Sequence, residues 1–165
     1  MDEERYSRMV QCYDNFLDKE DLDFLRNYLL YECSHNFVEY SNRDLIGGRF
    51  YSTDFSMRDK FIMSIFHKIT CRLNVVPEFV DRVHSNIQHY GMGGNYHNDD
   101  TNNTCILMVT GDVENGFEYL DENNNTQLID FVPNKLIYFN GKKISHRGLP
   151  PKTQTPRVTL AFKFD

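Results

Sequence analysis

The spacing of apolar side chains divides this chain into a helical part and a strand-rich part. Leu22, Leu25, Leu29 and Cys33 recur at helical intervals behind Asp18, a good N-cap with acidic residues in the turn that follows. A short strand, Val10–Leu17, leads into that helix. A second stripe of Ile62, Phe66, Ile69 and Leu73, widened by Phe61 and Ile65, predicts another helix opened by Ser56. Between the two, from Asn36 to Asp54, no period holds. Gly47-Gly48 reads as a turn, Arg49–Ser52 as a short strand or a covering segment, and the whole stretch as a candidate lid. From Pro77 onward the period shortens to that of strands broken by turn residues. The strand-like runs are Val83–Tyr90, Tyr96–Asp99, Cys105–Thr110, Phe117–Leu120, Gln127–Phe131, Leu136–Phe139, Ser145–Leu149 and Arg157–Phe164, with a hairpin loop at Asp121–Asn125. Helices followed by many short strands predict a mainly-β jelly roll. The helical part, about 1–76, would pack on one sheet of a core spanning about 80–165.

Strand alternation brings chemistry to particular faces. If Tyr96–Asp99 is extended, His97 and Asp99 share a side and can chelate one ion together, with His146 arriving from a distant strand. Two imidazoles and one carboxylate form a facial triad that suits redox iron and leaves the opposite side open. On the last strand, Arg157, Thr159 and Ala161 share one face; Val158, Leu160, Phe162 and Phe164 share the other. With the apolar face on the helices, Arg157 points into the barrel, where a buried cation demands an anion. No acidic residue stands out in the sequence as its partner. An exogenous carboxylate gripped by two parallel guanidinium hydrogen bonds, with Thr159 beside it, is therefore expected. His89 and His84 compete for the ligand role; His89 shares a face with Ile87 and reads as structural. His35 and His67 read as surface or packing residues, Asp100 as a loop or solvent group, and Gly116 as a turn residue.

Composition narrows the picture. A chain of 165 residues, 40% hydrophobic and 14% aromatic, fits one domain, 1–165, with one packed core. The net charge of -6 argues against nucleic-acid binding through a broad basic surface, though Lys142, Lys143, Arg147 and Lys152 form a local cationic rim. Cys12, Cys33, Cys71 and Cys105 are scattered and read as buried thiols of a reducing cytosol. Met1–Arg5 lacks a leader pattern and no apolar run reaches membrane-spanning length, so a cytoplasmic protein with no membrane partner is expected.

His97-x-Asp99, His146, Arg157-x-Thr159, the lead-in Gln88-His89-Tyr90-Gly91 and Gly116–Leu120 together resemble the iron(II)/2-oxoglutarate-dependent dioxygenases, in their prolyl-hydroxylase-like branch. The resemblance runs from about Val83 to Phe164, half the chain, and is closest to the small single-domain members of bacteria and viruses. It implies a double-stranded β-helix with iron(II) on His97, Asp99 and His146. It implies 2-oxoglutarate as cosubstrate with its C5 carboxylate on Arg157 and Tyr90, dioxygen as oxidant and ascorbate as reductant. The implied reaction hydroxylates a carbon centre and releases succinate and carbon dioxide. Peptidyl proline is the first substrate class, ahead of a free amino acid or other small metabolite and of a nucleobase. Arg157 stands where many prolyl hydroxylases have lysine, and the chain between Tyr90 and His97 is two residues shorter than theirs. Both departures loosen the substrate assignment. A reading of another class is a non-catalytic jelly roll that keeps its metal as a structural or sensory element; Arg157-x-Thr159 speaks against it.

Overall fold

The computed structural model describes residues 9–42 and 45–165, the side chains of 39–48 excepted. The first helix, α1 (Lys19–Asn27), is capped as its sequence predicts: Asp18 Oδ1 accepts a 2.9 Å bond from Asp21 N–H. It runs on into a π-helical turn, Tyr28–Glu32, that keeps Leu29 buried. The second helix, α2 (Lys60–Leu73), is opened by Asp59 rather than Ser56, and Asp59 Oδ1 accepts from Ile62 N–H at 3.0 Å. Ser56 accepts from Arg58 N–H instead and forms the turn before the helix. Asn74 closes α2 in the left-handed conformation at φ 54.

Ten strands follow this order: β1 (Val10–Tyr13), β2 (Asn36–Asn42), β3 (Leu45–Asp54), β4 (Val80–Gln88), β5 (Asn103–Thr110), β6 (Glu114–Leu120), β7 (Thr126–Phe131), β8 (Leu136–Phe139), β9 (His146–Gly148) and β10 (Arg157–Phe164). They form a seven-stranded sheet, β1-β8-β5-β10-β4-β3-β2, facing a three-stranded one, β7-β6-β9. This is a jelly roll with two helices behind its larger sheet. The segment 36–54 departs from the irregular lid expected of it. It is a hairpin whose β3 pairs with β4, Tyr51 opposite Ile87 and Thr53 opposite Ser85. Gly47 and Gly48 lie within β3, not at a turn. Residues 43–44 fall outside the described residues. Such a segment hides from a hydrophobic-period reading because it lies at the sheet's edge, β2 outermost, and its sequence lacks a one-sided apolar alternation.

The alternation of β10 is as expected. Leu160, Phe162 and Phe164 pack with Leu25, Leu29, Ile62, Ile65, Phe66 and Ile69 of the helices, and Phe66 stacks 5.4 Å from Phe162. Each such fully buried side chain contributes roughly 1.5–3 kcal/mol. A second apolar cluster, Phe117, Phe131, Ile137, Phe139 and Ile144 with Met108, fills one end of the space between the sheets. Gly116 belongs to β6, and a Cβ there would meet Phe131 at 2.4 Å; the glycine is needed for close packing, not for a turn. Of the four cysteines only Cys105 is buried, while Cys12 and Cys71 are exposed. No helix among the described residues is long and apolar enough to cross a membrane.

Candidate metal centre and its cavity

The segment carrying His97 and Asp99 is extended but is not a regular strand. Only His97 pairs, exchanging two 3.0 Å backbone hydrogen bonds with His146, and Asp99 N–H donates to Gly141 O at 3.0 Å. Gly141 permits that approach: a Cβ there would lie 2.8 Å from Asp99 Cβ and 2.5 Å from Thr104 Oγ1. The result is the convergence expected from spacing. One ligand atom from each of His97, Asp99 and His146 falls within 4.8 Å of the others. His97 Nε2 is 3.8 Å from Asp99 Oδ1, and His146 Nε2 is 3.7 Å from Asp99 Oδ2.

Hydrogen bonds fix how the two rings present themselves. His97 Nδ1 lies 2.9 Å from Asn95 O and His146 Nδ1 lies 3.0 Å from Ile144 O. A carbonyl has no proton to give, so each Nδ1 carries a hydrogen, and in the neutral ring that leaves each Nε2 with a lone pair toward the centre. Phe117 and Phe139 hold the His146 ring, with centroids 5.5 and 4.6 Å away. Burial lowers the His146 pKa to about 4, so the ring is neutral at pH 7. Asp99 is buried too. Burial pushes its pKa up, but His146 (charged only in acid), the Lys163 ammonium and the Thr104 hydroxyl outweigh it and bring the carboxyl to about 2. Two imine lone pairs and a carboxylate facing one point are donors without a proton among them. That donor set fits a divalent cation, and the His₂-carboxylate composition fits iron(II).

The buried imidazoles carry a pH prediction. Burial holds His146 near 4 in the folded chain, against about 6.5 for a free imidazole, and also pushes His84 well below that value. Between those values the unfolded chain binds protons that the folded one refuses. Stability is therefore expected to fall as pH drops from about 6.5 to about 4. Melting curves in a chelating buffer across that range check this, and His84→Gln should have a shallower slope than the wild type. Equal slopes would place His84 in solvent.

The triad opens onto a cavity of about 720 Å³ between the sheets, lined by His84, Asn86, Arg157, Thr159 and Lys163 among others. Arg157 points inward as parity requires and is 2% exposed. Its surroundings differ from expectation. Glu114, on β6, is its acidic partner, with Oε1 2.9 Å from Nη2. Nη2 also donates to Asn115 O, and Nη1 donates to Leu149 O and Gly116 O. The guanidinium lies over the Phe131 ring, 4.9 Å from its centroid. The terminal nitrogens are thus engaged, and no free fork remains for a two-point grip on a carboxylate. Nε–H, buried with no hydrogen-bond partner among the described residues, is the donor left over. Asn86 Oδ1 and His84 Nδ1, both on β4 and both in the cavity wall, are buried and unpartnered in the same way. Unsatisfied buried donors and acceptors around a cavity mark where a polar ligand fits. Arg157 and Thr159 both line that cavity.

Tyr90 lies elsewhere. It is 62% exposed and is not in the cavity wall. β4 ends at Gln88, and a turn closed by Met92 N–H to His89 O carries Tyr90 outward before strand alternation can direct it in. Two of the four cations of the rim are paired off: Arg147 binds Glu118 and covers the Tyr96 ring, and Lys142 reaches Asp165 at 3.4 Å. Lys163, Thr104 and Glu114 were not legible as site residues. Lys163 had a signal, because it is the next inward position of β10 after Ala161.

No family model matches the chain, and no curated protein matches it in sequence. Solved structures match it in shape. A prolyl-4-hydroxylase of Pseudomonas putida is 13% identical, with a TM-score of 0.70 over 96% of this chain and 92% of that one. A prolyl hydroxylase of Trichoplax adhaerens, in complex with a hypoxia inducible factor peptide fragment, is 14% identical, with a TM-score of 0.74 over 96% and 84%. A viral collagen prolyl hydroxylase of Paramecium bursaria Chlorella virus-1, in complex with 2-oxoglutarate, is 16% identical, with a TM-score of 0.65 over 96% of both chains. At these identities the likeness is one of fold: the chain has the double-stranded β-helix of those proteins along nearly its whole length.

Proposed function

We propose that this protein is an iron(II)- and 2-oxoglutarate-dependent oxygenase that hydroxylates a carbon centre. The observation that carries the reading is the His97, Asp99 and His146 constellation, with three aprotic donors turned to one point at the end of a polar cavity. His97, Asp99 and His146 would hold the ion, and Arg157 with Thr159 would receive the far carboxylate of the cosubstrate. When bound, iron and 2-oxoglutarate supply the oxidising equivalent from dioxygen, with succinate and carbon dioxide as products and ascorbate keeping the iron reduced.

The chain's own share is placement. The carbonyls of Asn95 and Ile144 orient the two imidazoles, and Thr104 donates to Asp99 Oδ2 at 2.7 Å. The apolar cluster around Phe117 and Phe139 keeps water from one side of the centre. Arg157 Nε–H offers a fixed donor at the cavity's far end. Two similar structures are prolyl-4-hydroxylases or prolyl hydroxylases by name, and one holds a peptide, so a peptidyl proline is the first substrate to test. Incubation of a proline-peptide and metabolite panel with protein, iron(II), ascorbate and 2-oxoglutarate, read by mass spectrometry, should reveal a product heavier by one oxygen. A second reading, a metal-binding jelly roll without turnover, is favoured by one observation: Arg157 already has Glu114 as its counter-ion.

A further inference from the structure

Asp99 is the one carboxylate of the triad, and it is already neutralised. Lys163 Nζ lies 2.6 Å from Asp99 Oδ1, while Thr104 Oγ1 donates to Oδ2. The contact is built into the sheet. Lys163 and Thr104 face each other across the β10–β5 register, so neighbouring strand positions clamp the two oxygens of one carboxylate. Both partners are shielded, the Lys163 side chain 17% exposed and that of Asp99 1%. Lys163 lines the same cavity as the triad and follows Arg157, Thr159 and Ala161 on the inward face. Asp99 and Lys163 sum to zero, so an arriving divalent ion meets a paired carboxylate with a cation at its edge.

We propose that Lys163 is the resident counter-ion of the metal centre and sets its metal affinity low. Lys163 and a divalent ion draw on the same carboxylate. Whether the ammonium stays on Oδ1 or swings into the cavity, its charge opposes the ion at a few ångströms, in a place where screening by solvent and salt is weak. Before an ion binds, the ammonium stabilises Asp99; after it binds, the ammonium repels the ion. Both effects act in the same direction. The centre is thereby kept exchangeable, filling with iron supply. This inference rests only on the metal-holding part of the function proposed above and makes no use of 2-oxoglutarate.

Manganese(II), redox-stable and of the right charge, is the probe, titrated into wild type, Lys163→Met, Lys163→Gln and Lys163→Arg and followed by electron paramagnetic resonance. Lys163→Gln keeps a hydrogen-bond donor for Asp99 should the methionine variant fold poorly. The expected result is binding about tenfold tighter or more in the methionine and glutamine variants, with the arginine variant close to wild type. A residue that merely filled space would give no gain in affinity. Affinity unchanged or weakened in both neutral variants, with wild-type binding intact, overturns the counter-ion role alone. Absence of manganese binding in every protein overturns the metal reading and this inference with it.

Discussion

Arg157→Ala is expected to cost the fold about 3–5 kcal/mol, a far larger effect than the loss of one ligand contact. Arg157 is 2% exposed, and its guanidinium is the counter-ion of Glu114, whose side chain is 13% exposed. Truncation leaves that carboxylate shielded without a cation. It also strips donors from Leu149 O, Gly116 O and Asn115 O and removes the group that covers Phe131. Against a typical total stability of roughly 5–15 kcal/mol, the variant should melt far earlier or fail to accumulate. Urea denaturation measures it, with Glu114→Gln and the double variant completing a cycle. If Glu114 is the reason for the loss, the double variant loses less than the sum of the two single ones. A loss under about 1 kcal/mol, the range of an exposed pair, would mean that solvent reaches the pair and that the guanidinium is free for a ligand after all.

Asp99→Ala is expected to abolish manganese(II) and iron(II) binding. The substitution removes the triad's carboxylate and leaves two imidazoles beside the Lys163 ammonium, so the centre gains one positive charge. Loss of a partner that only orients a ligand typically costs 10–100-fold in metal affinity; loss of this ligand should exceed about a hundredfold. Lys163, near the cavity and on a flexible stem, can turn to water once its partner has gone, so the fold should survive. Equilibrium dialysis with metal analysis checks the occupancy, and circular dichroism checks the fold. Occupancy at the wild-type level would remove Asp99 from the set of ligands. The contrast with Lys163→Met matters, because the two halves of one ion pair should move metal affinity in opposite directions.

Much of this molecule was legible before its structure, for definite physical reasons. Alternation along Arg157–Phe164 is strict, so its two faces could be assigned: Phe162 lies on the helices and Arg157 in the cavity. The triad was legible because metal-binding residue types at short and long spacing are rare in combination. Two kinds of fact were not legible. The hairpin at 36–54 lacks a one-sided apolar pattern, and its strands are set by pairing, β3 with β4 and β2 with β3. Ion-pair partners are chosen by tertiary register: Glu114 stands 43 residues from Arg157, and Lys163 stands 64 from Asp99. No local spacing announces such pairs. Tyr90 was carried over from the resemblance, and no local pattern announced that β4 ends at Gln88 and leaves it exposed.

If the triad holds iron as proposed, the protein turns over 2-oxoglutarate. The direct test is succinate measured after incubating the protein aerobically with iron(II), ascorbate and 2-oxoglutarate, with and without the peptide panel, beside His146→Ala. Succinate above the protein-free control is expected, disappearing in His146→Ala and rising when the right substrate is present. Iron bound by the wild type at full occupancy, with no succinate above that control under any condition, would contradict it and leave a metal-binding jelly roll without chemistry.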